Sequence, residues 1–249
     1  MKDNELVGKS EVCVKIRNID KSFGKKQVLF NVNLDIPYSE IFCLLGPSGS
    51  GKTTLVKLIG GIDTASGGEV VLLDKKMPNL EIMNKIGYMS QADALYGDLT
   101  AEENLKFFAS MYKMKSSLQK QRIVEVMQLV NLTDELKKKV NQYSGGMKRR
   151  LSLAIALLMK PPVLLLDEPT VGIDPMLRKT IWDELYVLRD AGTTIIVTTH
   201  VMDEAEKCDK LGMVRDGQLI AVGTPEYLKQ QTNQDTLEEA FIQYGGEQR

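Results

Sequence analysis

Apolar and polar residues alternate twice near the start of the chain, at Val12, Val14 and Ile16 and again at Val32, Leu34 and Ile36. A period of two predicts strands with one face in a core. The pattern changes at "IFCLLG", residues 41–46, a short unbroken apolar run that ends in glycine. "PVLLLDEP" (162–169) and "TTIIVTTH" (193–200) have the same character. Such runs predict strands covered on both faces. Each is followed by a polar turn and a helical pattern, so the fold class is α/β with a largely parallel core sheet.

No strand of this kind stands between Ala101 and Lys160. Leu105, Phe108, Ala109 and Tyr112 share a helical face, and Ile123, Val126, Met127 and Val130 repeat the spacing. Arg150 to Met159 is a third helical stretch, stopped by Pro161 and Pro162. The spacing therefore predicts one cassette: an α/β core at 11–91 and 161–225, and an inserted helical lobe at 92–160. A hairpin is expected at "RDGQ" (215–218), then a short helix and a polar tail in an extension at 226–249.

Composition narrows the picture. Lys plus Arg is 32 against 33 for Asp plus Glu, so no charge excess points to nucleic acid as partner. "KKK" at 137–139 reads as a solvated helix face. Cys13, Cys43 and Cys208 are widely spaced and the chain has one histidine, too few ligands for structural zinc. Unpaired cysteines suit a reducing, cytosolic setting. The opening "MKDNELVGKSEV" is polar rather than a secretory leader. No run reaches the ~18 apolar residues of a membrane span. The best attempt, "LSLAIALLMKPPVLLL", is broken by Lys160 and the two prolines.

The chemistry begins at "GPSGSGKTT", residues 46–54, set between a buried strand and a helix. Gly49 and Gly51 let the backbone curl so that N–H groups point inward, with Gly46, Pro47, Ser48 and Ser50 in the same nucleotide-binding loop. The helix that starts at Lys52 adds its positive end, so the expected occupant is a polyphosphate. Lys52 is expected to reach the β- and γ-phosphates, and Thr53, beside Thr54, to help hold Mg²⁺. The strand ending at Asp167 and Glu168 brings two carboxylates to the same edge of the sheet. Asp167 is the expected magnesium partner, and Glu168 the group that accepts a proton from an attacking water.

His200 closes the third apolar run and is the only histidine in the chain. Its position fits either a core histidine bonded to a backbone carbonyl or a group aimed at the phosphates.

"YSGGMKRRLSLAIALL" (143–158) resembles the signature motif of ATP-binding cassette (ABC) ATPases, usually Leu-Ser-Gly-Gly-Gln before basic residues and an apolar helix. Lys148, Arg149 and Arg150 lie where cations oppose the helix dipole, at ~0.3–1 kcal/mol each. An anion nearby would offset that, so Ser144, Gly145 and Gly146 are read as phosphate-facing rather than as a simple cap. The resemblance extends over nearly the whole chain. Phe23, in "SFG", matches the aromatic residue that stacks on adenine, and Gln91, in "YMSQ", the glutamine that senses the γ-phosphate and joins the metal site. "VGIDP" (171–175) carries Asp174 in the family's aspartate position, and "TTH" ends on the switch histidine. Tyr143 and Met147 depart from the usual Leu and Gln, and Val171 and Ile173 from Ser or Ala and Leu.

The resemblance implies a P-loop NTPase fold: a RecA-like parallel sheet, an N-terminal antiparallel β subdomain and an inserted helical subdomain. It implies ATP and Mg²⁺ as cofactors, Glu168, His200 and Gln91 as catalytic residues, and head-to-tail pairing with a second cassette, identical or related. "YGDLTAEENLKFFASMY", "GIDP" and "TLEEAFIQ" are similar to exporter ATPases that serve a separate permease on the inner face of the cell membrane. Residues 92–112 would then dock the permease, while Phe107, Phe108 and Tyr112 are expected mostly in the lobe's own core. The competing reading is a soluble ABC ATPase of translation or DNA repair, which usually has two cassettes in one chain or long inserted coiled coils. A small-molecule kinase explains neither the signature nor "TTH".

Overall fold

The computed structural model describes residues 11–92 and 94–246. The opening segment through Ser10 and the last three residues of the 226–249 extension lie outside the described residues. Strands β1 (Val12–Phe23) and β2 (Lys26–Pro37) pair antiparallel, with Val14 opposite Ile36, Ile16 opposite Leu34 and Ile19 opposite Val32. Val14, Ile16, Ile19, Val32, Leu34 and Ile36 are all buried in one core, while Val12 is half-buried.

The run at Ile41–Leu45 is β3, buried throughout. Ile41, Cys43 and Leu45 enter one core while Phe42 and Leu44 enter another. A strand that serves two cores has no polar face to spare, which is why its sequence does not alternate. Helix α1 (Lys52–Ile59) follows, then β4 (Gly67–Leu72) and β5 (Lys75–Lys76). These two complete a four-stranded sheet in the order β2-β1-β4-β5. The one-turn α2 (Leu80–Met83) leads into β6 (Ile86–Met89).

Three helices occupy the next stretch: α3 (Ala101–Met111), α4 (Ser116–Leu129) and α5 (Gly145–Leu157). Thr100 and Glu103 form a reciprocal capping box at the start of α3. Helix α5 starts at Gly145 rather than Arg150, because Ser144 accepts a hydrogen bond from the Met147 amide and two glycines fill the first turn. Then come β7 (Val163–Asp167), α6 (Pro175–Asp190), β8 (Thr194–Thr199) and the short α7 (Met202–Ala205). Leu164, Leu166, Ile195 and Val197 share a core with Ile41, while Val163, Leu165 and Ile196 join the core of Phe42.

Strands β9 (Lys210–Arg215) and β10 (Gln218–Gly223) form the expected hairpin. Its two-residue turn holds Asp216 at φ 49° and Gly217 at φ 79°, the geometry that matches strand twist. Beyond α8 (Pro225–Thr232) the tail is not merely polar, since Leu237–Gly246 is a further helix, α9. Leu237 and Ala240 are buried, with Phe241 and Tyr244 packed against the core. Their helical spacing supplies the apolar stripe that an otherwise polar segment needs.

The second sheet has the order β10-β9-β3-β8-β7-β6. β3 runs parallel to β9 and β8, β8 to β7, and β7 to β6. Four loops therefore leave one edge side by side, those after β3, β8, β7 and β6. Such an edge is where open α/β sheets bind ligands. The three cysteines are buried and free.

Candidate active site

Beyond Leu45 the chain turns through Gly46, Pro47, Ser48, Gly49 and Ser50 into Gly51, the residue before α1. Gly51 has φ 107°, a conformation that calls for glycine, and a Cβ there would also lie 2.7 Å from the tip of the Leu29 side chain, which would have to shift. No side chain caps α1, which leaves its first amides for a ligand. Ser48, Gly49, Gly51, Lys52, Thr53 and Thr54 line a cleft of about 280 Å³ together with Val28, Gln91 and Glu168. Lys52 is 5% exposed, and its ammonium donates to the Gly46 and Pro47 carbonyls at 2.6 and 2.9 Å. Burial lowers its pKa, and the nearby Glu168 and Asp167 carboxylates pull the other way.

Asp167, at the end of β7, is 1% exposed. Its Oδ1 accepts from Thr53 Oγ1 at 3.2 Å and, closely, from Thr198 Oγ1. Its Oδ2 is buried without a partner. Glu168 adopts φ 53°, a conformation rare for residues other than glycine and costing ~1–3 kcal/mol. Its amide is held by the Thr198 carbonyl and hydroxyl, both at 3.1 Å. This bend turns the carboxylate toward the loop after β8, where Glu168 Oε1 lies 3.0 Å from His200 Nδ1. The His200 side chain is 44% exposed, so it is not a core histidine.

The other residues singled out from sequence sit apart from this cleft or at its border. Gln91 lines it. Ser144 is exposed and caps α5, accepting from the Met147 amide at 3.2 Å. The two arginines beside it do not await an anion as expected. Arg149 donates to the carbonyls of Ser90, Gln91, Asp167 and Glu168, and Arg150 to those of Val130 and Asn131. Asp174 caps α6 through the Leu177 amide at 3.0 Å. Phe23 is 52% exposed, with the Lys21 ammonium 4.7 Å from its ring centre.

Two polar groups escape a reading of motifs alone. Thr198 ties Asp167 to the Glu168 amide, and Glu204, 1% exposed, accepts from Thr170 and from Thr199 Oγ1 at 2.7 Å. Glu204 thus links the segment after Glu168 to the residue before His200. A signal for the threonines does exist. A buried strand that ends in two hydroxyls must satisfy them somewhere.

The comparisons agree with this geometry. Residues 29–171 match the family described as ABC transporter. The probable multidrug ABC transporter ATP-binding protein YbhF of Escherichia coli (strain K12) is 38% identical over 240 residues, which is 94% of this chain but 42% of that protein. The linearmycin resistance ATP-binding protein LnrL of Bacillus subtilis (strain 168) is 39% identical over 88% of this chain and 72% of its own length. A solved ATP-binding subunit of an ABC transporter shares the fold at TM-score 0.88 and 24% identity, covering 94% of this chain and 99% of that one. A dimeric post-hydrolysis cassette bound to ADP and Pi superposes at TM-score 0.79 and 32% identity, over 85% and 98% of the two chains. With the phosphate loop, the paired carboxylates and the exposed histidine converging on one edge of such a sheet, this chain belongs to the ABC transporter family.

Proposed function

We propose that this chain is the ATP-hydrolysing subunit of an exporter whose membrane-spanning permease is a separate polypeptide. The observation that carries the reading is the 3.0 Å contact of His200 with Glu168 beside the cleft lined by Lys52 and Thr53. ATP would lay its phosphates against the loop amides and Lys52, and stack adenine on the exposed ring of Phe23. Asp167 Oδ2, buried and unpartnered beside the Thr53 hydroxyl, fits a cation. Asp167, Thr53 and Gln91 would hold Mg²⁺, with phosphate and water as its other ligands. When bound, the ion draws charge from the phosphates.

Glu168 accepts a proton from water as the water oxygen bonds to the γ-phosphorus. The bridging P–O bond breaks and its electrons leave on ADP. His200 orients Glu168 and contacts the γ-phosphate. Ser144, Gly145 and Gly146 would meet the ATP of a second cassette, identical or related, with Asp174 at the same seam.

The relatives are named for multidrug, linearmycin resistance and Nod factor export functions, which supports an exporter here. No helix among the described residues is long and apolar enough to cross a membrane. Residues 92–112 of the helical lobe would form the docking surface for the permease. Tyr96 is 48% exposed, Phe107 38% and Met111 61%, and the Tyr96 and Phe107 rings meet edge to face at 4.8 Å. Phe108 and Tyr112 stay half-buried.

The test is retrieval of Glu168→Gln, loaded with ATP, from detergent-solubilised host membranes, together with phosphate release by the wild-type chain. The reading predicts a polytopic membrane protein in stoichiometric amount and Mg²⁺-dependent release. Purely soluble partners with full recovery of the bait would overturn the transporter role, and absence of release would overturn the ATPase.

A further inference from the structure

Arg149 makes an unusual set of contacts for a cation near the start of a helix. Nη1 donates to the carbonyls of Ser90 at 2.7 Å and Gln91 at 3.1 Å. Nη2 donates to the carbonyl of Asp167 and, at 2.6 Å, to that of Glu168. One guanidinium therefore joins the signature helix α5 to the chain just beyond β6 and to the end of β7. These are the two segments that carry Gln91 and Glu168.

The contact matters because of how Glu168 is held. Its φ of 53° is a conformation that persists only where the surroundings over-determine it. Thr198 fixes the amide side of this residue at 3.1 Å, and Arg149 fixes the carbonyl side at 2.6 Å. The Glu168 carbonyl also accepts from the Val171 amide at 3.4 Å, so without the guanidinium it keeps a single long turn bond. Relaxation of the backbone on that side carries the carboxylate away from His200. A planar fork can serve carbonyls from two segments at once, whereas an ammonium is a point donor that cannot span them all.

We propose that Arg149 is a positioning residue for hydrolysis: bonded to the carbonyls of Ser90, Gln91, Asp167 and Glu168, it holds the Glu168 carboxylate against His200 and keys it to the Gln91 loop. The proposal rests on the reading of Glu168 as the base. It separates Arg149 from Arg150, whose carbonyl partners Val130 and Asn131 lie at the end of α4, inside the helical lobe.

The experiment is single-turnover hydrolysis of Mg-ATP by the full chain, in four forms: wild type, Arg149→Met, Glu168→Gln and the double variant. Arg149→Lys serves as the conservative control. A displaced base lowers the rate constant on the order of 10²-fold, with KM changed less than about threefold. In the Glu168→Gln background the same substitution has no further effect on rate, because the group it positions is gone. Arg149→Lys falls between wild type and Arg149→Met. Losses that multiply in the double variant overturn the proposal, as does ATP binding lost with Arg149→Met. Should Arg149→Met fail to fold, full activity of Arg149→Lys overturns it and an intermediate rate supports it. A wild-type chain that releases no phosphate removes the base itself, a failure distinct from wild-type turnover with multiplying losses.

Discussion

The carboxyl edge of the parallel sheet and the start of α5 use the same materials, glycines beside a hydroxyl and a basic residue, to opposite effect. At the sheet edge the glycines are demanded from within. A Cβ at Gly46 would sit 2.1 Å from the Val214 carbonyl oxygen, and one at Gly51 2.7 Å from the Leu29 side chain. At α5 a Cβ on Gly145 meets nothing within 4 Å. The fold gives no reason for glycine there, although a helical glycine is less stable than alanine by roughly 0.5–1 kcal/mol. On the proposed reading the need comes from a second cassette. The first region is then a finished half-site, and the second a surface that a partner would complete.

The largest test of the finished half is Glu168→Gln. It should keep ATP binding and lower turnover by on the order of 10²–10⁴-fold, measured as phosphate release beside equilibrium nucleotide binding. His200→Ala should lower turnover by about 10²-fold. Because the ring is exposed, its melting transition should stay within about 0.5 kcal/mol of wild type. Loss of folding would return His200 to a structural role.

Gly51→Ala probes the backbone of the same half. Strain at φ 107° and the contact with Leu29 should destabilise the chain by ~1–3 kcal/mol in denaturant titrations and empty the nucleotide site. Gly145→Ala is the smallest and most discriminating change. It should raise the stability of the isolated chain by roughly 0.5–1 kcal/mol and leave single-chain ATP affinity unchanged, yet lower turnover. A stabilised variant with full turnover would erase the contrast between the two regions.

How much of this was legible depended on where the signal lay. The runs at 41–46, 162–169 and 193–200 announced β3, β7 and β8, because strands covered on both faces need apolar side chains at every position. The phosphate loop was equally plain, since its glycines, lysine and threonine are contiguous. β6 was not visible. It is four residues long, and its pairing with β7 rather than its composition makes it a strand. Hydropathy alone starts α5 at Arg150, because glycines carry no such signal; the signature reading, with Lys148 to Arg150 in the first turns, lies nearer the observed Ser144 cap. In the sequence Arg149 reads as a charge against a helix dipole, because its partners Ser90 and Glu168 are 59 and 19 positions away. Bonds from a side chain to distant backbone carbonyls leave no period or motif to read. The same holds for Glu204, which looks like one acid in an acidic stretch until Thr170 and Thr199 are seen bonded to it.

The central claim is that hydrolysis needs a signature surface from another chain to complete the phosphate-loop half-site. The most direct measurement is phosphate release per chain across a wide dilution series, with light scattering reporting single chains at the dilute end. The account predicts that turnover per chain falls as the cassettes separate and is restored on concentration. Turnover per chain that stays constant into the range of single chains would contradict it.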